Sequence, residues 1–190
     1  MNRARGALLA AGAALLLGCV ASSDVMEKAP TEVPTAEADQ ATVCFLLPSN
    51  SLHGTRFQVW DRTHFLGLGL PASWFAAPCS PGKHLFLITA ENRVAIEADL
   101  VAGKRYFVVL GTDRGWVRTR AVATPVCKGT ELWDKVESIQ QGLVRVAPIE
   151  AARQKWEEEH RADAAELVGW FSTAPDRAQY LEHMSADDGR

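Results

Sequence analysis

The stretch "PGKHLFLITAENRVAIEADLVAGKRYFVVLG", at residues 81–111, decides the fold of this chain. Within it, residues 94–100 alternate apolar and polar side chains, which indicates a strand with one buried face and one face in water. Residues 106–110 are apolar at every position, which indicates a central strand that is covered on both faces. The stretch therefore predicts the core of a β-sheet protein.

Turn residues divide this stretch and its surroundings into separate strands. Pro81-Gly82 fits a type II turn, because proline supplies the fixed φ and glycine the positive φ. Glu91-Asn92 suits a tight hairpin, and Gly115 closes a three-residue loop that begins at Asp113. We expect the strands around these turns to form a meander, at residues 84–90, 93–100, 105–111 and 116–124.

Short apolar or alternating runs also precede this stretch, and Asp61-Arg62-Thr63-His64 forms a predicted hairpin between two of them. The earlier predicted strands lie at residues 42–47, 56–60, 65–68 and 73–77. The predicted fold class is mainly β. It consists of a small antiparallel β-sandwich at residues 41–127, followed by a C-terminal helical extension at residues 128–190.

The extension begins with a short amphipathic helix. Thr130 can cap its start, and Gly142 can end it. Leu132, Val136 and Ile139 share one face of this helix, and we expect that face to cover the sandwich.

A longer helix is predicted at residues 149–171, directly after Pro148, and a frayed segment follows it. Its apolar stripe and its end include Trp156, Trp170 and Phe171, which have two interpretations. An amphipathic helix usually buries such a stripe in its own domain. The alternative is that these three side chains dock into the groove of a partner protein.

The first residues have the pattern of a signal peptide. Arg3 and Arg5 form a basic head, and residues 6–17 form an uncharged apolar run. The run has about a dozen residues, whereas a helix that spans a bilayer needs about 20, so it is too short for a permanent span. Its end, Leu16-Leu17-Gly18-Cys19, resembles the lipobox of bacterial lipoproteins.

The lipobox resemblance implies cleavage before Cys19, a diacylglycerol thioether on its sulfur, and a fatty acid such as palmitate on the new amino group. Several acyl chains anchor a protein durably, since each buried CH₂ contributes about 0.8 kcal/mol. Val20 stands where an Asp would resemble an inner-membrane retention signal, so the resemblance implies an outer-membrane anchor that faces the periplasm. The alternative is an ordinary secretory signal in which Cys19 is incidental.

Composition sets further expectations. Residues 1–18 are assigned to the signal peptide and residues 19–40 to a disordered tether, since the tether's small, acidic and proline residues bury too little apolar surface to fold. Such a tether would hold the folded body roughly 25 Å from the membrane. The net charge of −3 becomes more acidic once Arg3 and Arg5 are removed, which argues against a nucleic-acid partner.

The segments "TVCFLLPS", "PGKHLFLI", "DLVAGKRYFVVLG" and "RGWVRTRAV" resemble a family of short bacterial lipoproteins that is defined only by a domain of unknown function. That family is similar to PEGA-type and transthyretin-like β-sandwiches, and the resemblance spans residues 42–126. Its motifs are turn and packing motifs. The resemblance therefore implies a non-enzymatic envelope domain, and we expect a structural or binding module for a protein or glycan partner.

Three cysteines remain besides Cys19. We predict a disulfide between Cys79 and Cys127, because the expected meander returns the chain to the end of the sandwich where Cys79 lies. Cys44, within the first predicted strand, is expected to be buried and free. The absence of any bond is the alternative, because the strand order behind the pairing is itself a prediction.

No pattern in the chain demands catalysis. Ser51, His53 and Asp61 are the candidates for a small hydrolase, as nucleophile, base and orienting group, although no nucleophile elbow surrounds Ser51. The scattered histidines predict no metal site, and no motif predicts a cofactor. A further alternative is a ligand-binding sandwich with an apolar pocket, lined by Trp60, Trp74 or Trp116.

Overall fold

The computed structural model describes residues 23–32, 38–48, 56–114 and 119–190. In these ranges the chain is mainly β, with two mixed sheets and two α-helices. In chain order the elements are β1 (Met26–Lys28), β2 (Ala41–Leu47), β3 (Phe57–Asp61), β4 (His64–Gly69), β5 (Ser73–Cys79), β6 (Gly82–Thr89), β7 (Arg93–Leu100), β8 (Arg105–Arg114), β9 (Thr119–Pro125), α1 (Glu131–Gln141), β10 (Val144–Pro148), α2 (Glu150–Thr173) and β11 (Leu181–Met184), with short 3₁₀ helices at Arg177–Tyr180 and Ala186–Asp188.

The first sheet has the strand order β1-β10-β5-β2-β8-β9. β2 pairs antiparallel with β5 and parallel with β8, and β10 runs parallel to β5. The apolar strand predicted at residues 106–110 lies in β8, between β2 and β9. Its side chains Tyr106, Phe107, Val108 and Leu110 are buried, which confirms the prediction of a covered central strand.

The second sheet has the strand order β11-β7-β6-β3-β4. β6 pairs antiparallel with β3 and β7, and β11 runs parallel to β7. The predicted hairpin is confirmed, since Arg62 and Thr63 join β3 to β4 and Asp61 pairs with His64. Arg62 adopts a positive φ of 52°, which is uncommon for a residue other than glycine.

The inner faces of the two sheets pack against each other and form the main core. Phe45 of β2 meets Phe86 of β6 edge to face, with ring centroids 5.7 Å apart, and stacks on Phe75 of β5 at 5.1 Å. Aromatic rings bury large apolar areas, so these contacts hold the sheets together. The mainly β class with C-terminal helices is confirmed. The antiparallel description is wrong, because both sheets also contain parallel pairs.

The predicted meander is wrong at the connection between β7 and β8. β6 and β7 pair as expected, but residues 101–104 carry the chain across to the first sheet, where β8 joins β2. The physical reason is that β8 is apolar on both faces. In the first sheet it lies between the second sheet on one side and α1 on the other, so both of its faces are covered.

The helix α1 covers the outer face of the first sheet, as predicted. The hydroxyl of Thr130 accepts a hydrogen bond from the Trp133 N–H at 3.3 Å and caps its start. A second apolar cluster lies between this helix and the sheet. Its buried members are Cys44, Leu46, Trp74, Phe107, Val126 and Val136, and Leu132, Trp133 and Ile139 pack against them.

The helix α2 lies against the second sheet and protects its edge strand, β4. The N–H of Phe65 donates a hydrogen bond to Glu157 at 3.0 Å, and the carbonyl of Phe65 accepts one from Arg153 at 3.0 Å. Unpaired groups on an edge strand can pair with another chain, so α2 shields this edge from such contacts. Neither described helix has the length of uncharged apolar chain that crossing a bilayer requires.

The predicted disordered tether is wrong where β1 forms. β1 pairs antiparallel with β10, with Met26 opposite Pro148. Val25 and Met26 are buried, at 5% and 3% exposure. These two apolar residues lie in a segment whose average composition is polar, and a prediction from average composition overlooks them.

The side chain of Met26 also reaches the second sheet. Its sulfur accepts a hydrogen bond from the Leu68 N–H at 3.3 Å. A Cβ atom at Gly67 would lie 3.2 Å from Met26 Cε, so the glycine leaves the space that the methionine fills. The beginning of the folded chain is therefore part of the main core.

The predicted frayed C-terminus is also wrong. β11 pairs with β7, and Met184 is buried among core residues. Further on, the backbone of Arg190 exchanges two hydrogen bonds with the backbone of Arg105, at 2.8 and 3.0 Å. The last residues thus join the second sheet to the first, and residues 128–190 contribute strands to both sheets.

Candidate functional site

A cleft of about 580 Å³ lies on the second sheet, between the last turn of α2 and β11. β6 contributes Lys83, His84 and Leu85, and β7 contributes Glu97 and Asp99. The register of the two strands sets Lys83 beside Asp99 and Leu85 beside Glu97. Strand pairing therefore builds one wall of the cleft, and the C-terminal segment builds the other.

The cleft carries charges of both signs. Arg62 and Lys83 are exposed, and among the described residues neither forms an ion pair. Arg177 donates a hydrogen bond to the Ala174 carbonyl at 3.2 Å. His183 Nδ1 lies 3.4 Å from Glu97. Such a surface can bind a polar ligand through hydrogen bonds and charge.

Asp61 and His84 form a close pair beside this cleft. His84 Nδ1 donates a hydrogen bond to Asp61 Oδ2 at 2.6 Å, and His84 Nε2 donates one to the Ser80 carbonyl at 2.8 Å. Both partners are acceptors, so the protonated ring, with a proton on each nitrogen, satisfies both contacts. The hydrogen bond to Asp61 raises the pKa of His84, burial opposes this rise, and the charge of Asp61 adds to it.

The pair is arranged for stability and not for proton transfer. A general base needs a free nitrogen within reach of its substrate, and both nitrogens of His84 are engaged. The side chain of His84 is also only 9% exposed. The two hydrogen bonds of His84 connect the start of β6 to Asp61, the last residue of β3, and to Ser80.

The hydrolase alternative depends on Ser51 and His53, which lie outside the described residues. Its third member, Asp61, is bound to His84 through Oδ2. Asp61 Oδ1 is buried and has no hydrogen-bond partner among the described residues. Asp61 therefore orients a histidine other than the one that the hydrolase alternative requires.

Trp60 and Trp74 are core residues in this structure. Trp60 packs on Phe65 of β4, with ring centroids 4.9 Å apart. Trp74 lies beneath α1 on the opposite side of the molecule, with the Arg145 guanidinium 5.6 Å from its ring centroid. The two side chains belong to different apolar clusters and do not share a pocket. Trp116 lies outside the described residues.

Trp156, Trp170 and Phe171 make their contacts within the chain. Phe171 is buried, and Trp170 meets it edge to face at 4.8 Å. The guanidinium of Arg93 lies 4.9 Å from the Trp170 ring centroid. Trp156 stacks on Phe65 at 5.9 Å. These contacts favour packing within the chain over docking as the role of the helix stripe.

The predicted bond between Cys79 and Cys127 is absent, whereas Cys44 is buried and free as predicted. Cys79 ends β5 and Cys127 follows β9, and β2 and β8 lie between these strands. Three strand spacings amount to roughly 14 Å, whereas the Cα atoms of a disulfide lie within about 7 Å of each other. Burial raises the pKa of the Cys44 and Cys79 thiols to about 12, which makes both poor nucleophiles.

Sequence reasoning did not identify Lys83, Arg177 and His183 as neighbours in one cleft. Lys83 belongs to the Pro-Gly-Lys-His segment, whose pattern predicts only a turn, and the other two lie in the segment predicted to be frayed. Leu181 and Met184 were the available signal, because isolated apolar residues in a polar tail indicate that the tail returns to a core.

No family model matches this chain, and no curated protein matches it significantly. Function is therefore inferred from the chain's own residues and their geometry.

Proposed function

We propose that this protein is a lipid-anchored lipoprotein of the cell envelope that acts as a non-enzymatic structural or binding module. The observation that carries the proposal is the Leu-Leu-Gly-Cys junction at residues 16–19, behind a basic head and a short uncharged run. Cys19 becomes the first residue of the mature chain and carries the lipid. The anchor holds the protein on the outer membrane, facing the periplasm. The reason is that Val20 stands where an Asp would resemble the inner-membrane retention signal.

The folded body supports a role as a module. Its two sheets pack face to face through an aromatic core, which is compatible with the sandwich module that the resemblance implies. Its polar cleft offers cations and carboxylates to a protein or glycan partner. The histidine beside the cleft has both nitrogens engaged, which supports binding over catalysis.

The lipid anchor is tested by metabolic labelling with radioactive palmitate. The full-length chain should incorporate label and partition with membranes, and Cys19→Ser should do neither. Cys127→Ser is the matched control, since Cys127 is a free thiol in the folded body and should not affect labelling. Equal labelling of wild type and Cys19→Ser would refute the proposal.

A further inference from the structure

Few residues separate the proposed lipid from the folded body. Val25 is buried, and β1 begins at Met26. Only residues 20–24 lie between Cys19 and this buried segment. Even a fully extended chain of this length spans at most about 20 Å. The segment between Cys19 and the folded body is therefore much shorter than the tether of residues 19–40 that composition predicts.

Strand register shows which end of the molecule faces the lipid. Val144, at the start of β10, pairs with Ser73 at the start of the parallel strand β5. Met26 pairs with Pro148, at the other end of β10. β1 therefore begins near the end of β5. The turns at residues 62–63, 80–81 and 101–104 lie at this same end of the sheets, which we name the anchor end.

The anchor end presents side chains that suit a lipid surface. Val101 is 40% exposed in the connection between β7 and β8. Arg62 and Lys83 are exposed, and each cation near an anionic membrane contributes about 1 kcal/mol of attraction. Asp24, Asp99 and Asp187 reduce this attraction, so the short tether supplies the main constraint.

We propose that the anchor end rests on the bilayer, with the turns at residues 62–63, 80–81 and 101–104 against phosphate-bearing headgroups. This inference rests on the proposed acylation of Cys19. It places the cleft of Lys83 and His84 near the membrane surface, so that a partner bound there is held close to the lipid.

The contact is tested with two matched probes on lipidated, full-length protein in vesicles of phosphatidylethanolamine and phosphatidylglycerol. Val101→Cys places a fluorophore at the anchor end, and Val144→Cys places one at the opposite end on a similarly exposed valine, 36% against 40%. Both variants carry Cys127→Ser, while Cys44 and Cys79 are buried and resist labelling.

A nitroxide on the lipid headgroups should quench the probe at position 101 at least threefold more than the probe at position 144. A flexible linker of about 20 residues inserted before Val25 should reduce that difference, because it lengthens the tether. Equal quenching at both positions, in protein whose intact mass shows an acylated Cys19, would overturn the inference. An intact mass without the lipid would instead refute the proposed function.

Discussion

The protonation of the His84 ring depends on its two hydrogen-bond partners. The Asp61 carboxylate and the Ser80 carbonyl both accept hydrogen bonds from it. Loss of a ring proton would leave a nitrogen lone pair facing an acceptor, which is unfavourable in a mostly buried site. The charged state of His84 therefore stabilises the fold where the turn after β3 meets β6.

We expect the contribution of His84 to the free energy of unfolding to decrease as the pH rises above about 6.5. The folded pKa of His84 is raised above its ordinary value of 6.5, so its stabilisation is complete below that value and is lost as the pH rises through the folded pKa. Urea unfolding at several pH values should show this decrease. Asp61→Asn should flatten the decrease and should cost about 2 kcal/mol below the ordinary pKa.

His183→Gln is the control for this experiment, because His183 is exposed and lies 3.4 Å from Glu97. It should preserve the pH dependence of the wild type. If the free energy of unfolding of Asp61→Asn changes with pH in parallel with that of the wild type, the pair of Asp61 and His84 does not contribute to the pH dependence of stability.

At the scale of elements, α2 depends on Glu157 for its position on β4. Burial opposes ionisation of Glu157, but the Phe65 N–H and the nearby His64 and Arg153 together lower its pKa. His64 Nδ1 lies 2.7 Å from its carboxylate. One carboxylate thus accepts hydrogen bonds from an edge-strand N–H and from the guanidinium groups of Arg153 and Arg161.

We expect Glu157→Ala to lower the free energy of unfolding by about 1–3 kcal/mol, because the Phe65 N–H would lose its partner. Urea unfolding measures this loss, and light scattering should show more self-association through the uncovered edge of β4. The neighbouring exposed Glu158→Ala is the matched control and should change stability by less than about 0.5 kcal/mol. Equal effects of the two substitutions would exclude the proposed edge contact.

The strand β1 provides a second test at this scale. Met26→Ala should cost about 2–4 kcal/mol, because it removes a buried side chain that reaches Leu68. Chemical denaturation measures the change. Glu27→Ala, on the exposed face of the same strand, should have little effect. A Met26→Ala variant as stable as the wild type would restore the interpretation of this segment as a tether.

At the scale of the whole molecule, the two sheets pack against each other and a helix covers the outer face of each. The C-terminal segment contacts both sheets. α1 covers the first sheet and α2 the second. β11 extends the second sheet, and Asp188 accepts a hydrogen bond from the Lys128 N–H at 2.8 Å. Residues 181–190 thus contact both sheets and connect segments that are distant in sequence.

Deletion of residues 181–190 should therefore destabilise the whole protein. Loss of the buried Met184 and of the pairing with β7 should cost about 3 kcal/mol, which lowers the melting temperature by roughly 6–12 °C in a protein of this size. Calorimetry measures the shift. An unchanged melting temperature would show that this segment does not contribute to stability.

Several structural features of this protein can be predicted from the sequence pattern within a few residues. The strand at residues 93–100 was predicted correctly, although Ala95, on the face expected in water, is buried. The hairpin at Arg62 and Thr63 and the cap at Thr130 were also predicted correctly from neighbouring residues. Each depends on the chain within a few residues, where backbone preferences and the periodicity of side chains act directly. The lipobox resemblance at Cys19 is equally local, and its consequence remains a proposal.

Only the tertiary structure decided which strands are neighbours. β8 joins β2 because that position covers both of its apolar faces. β1 and β11 are short, and their hydrogen bonds and buried side chains find partners only in sheets that other segments have built. The cleft of Lys83 and Arg177 follows from these pairings. Such contacts depend on competition between distant segments for burial, which no short window of sequence contains.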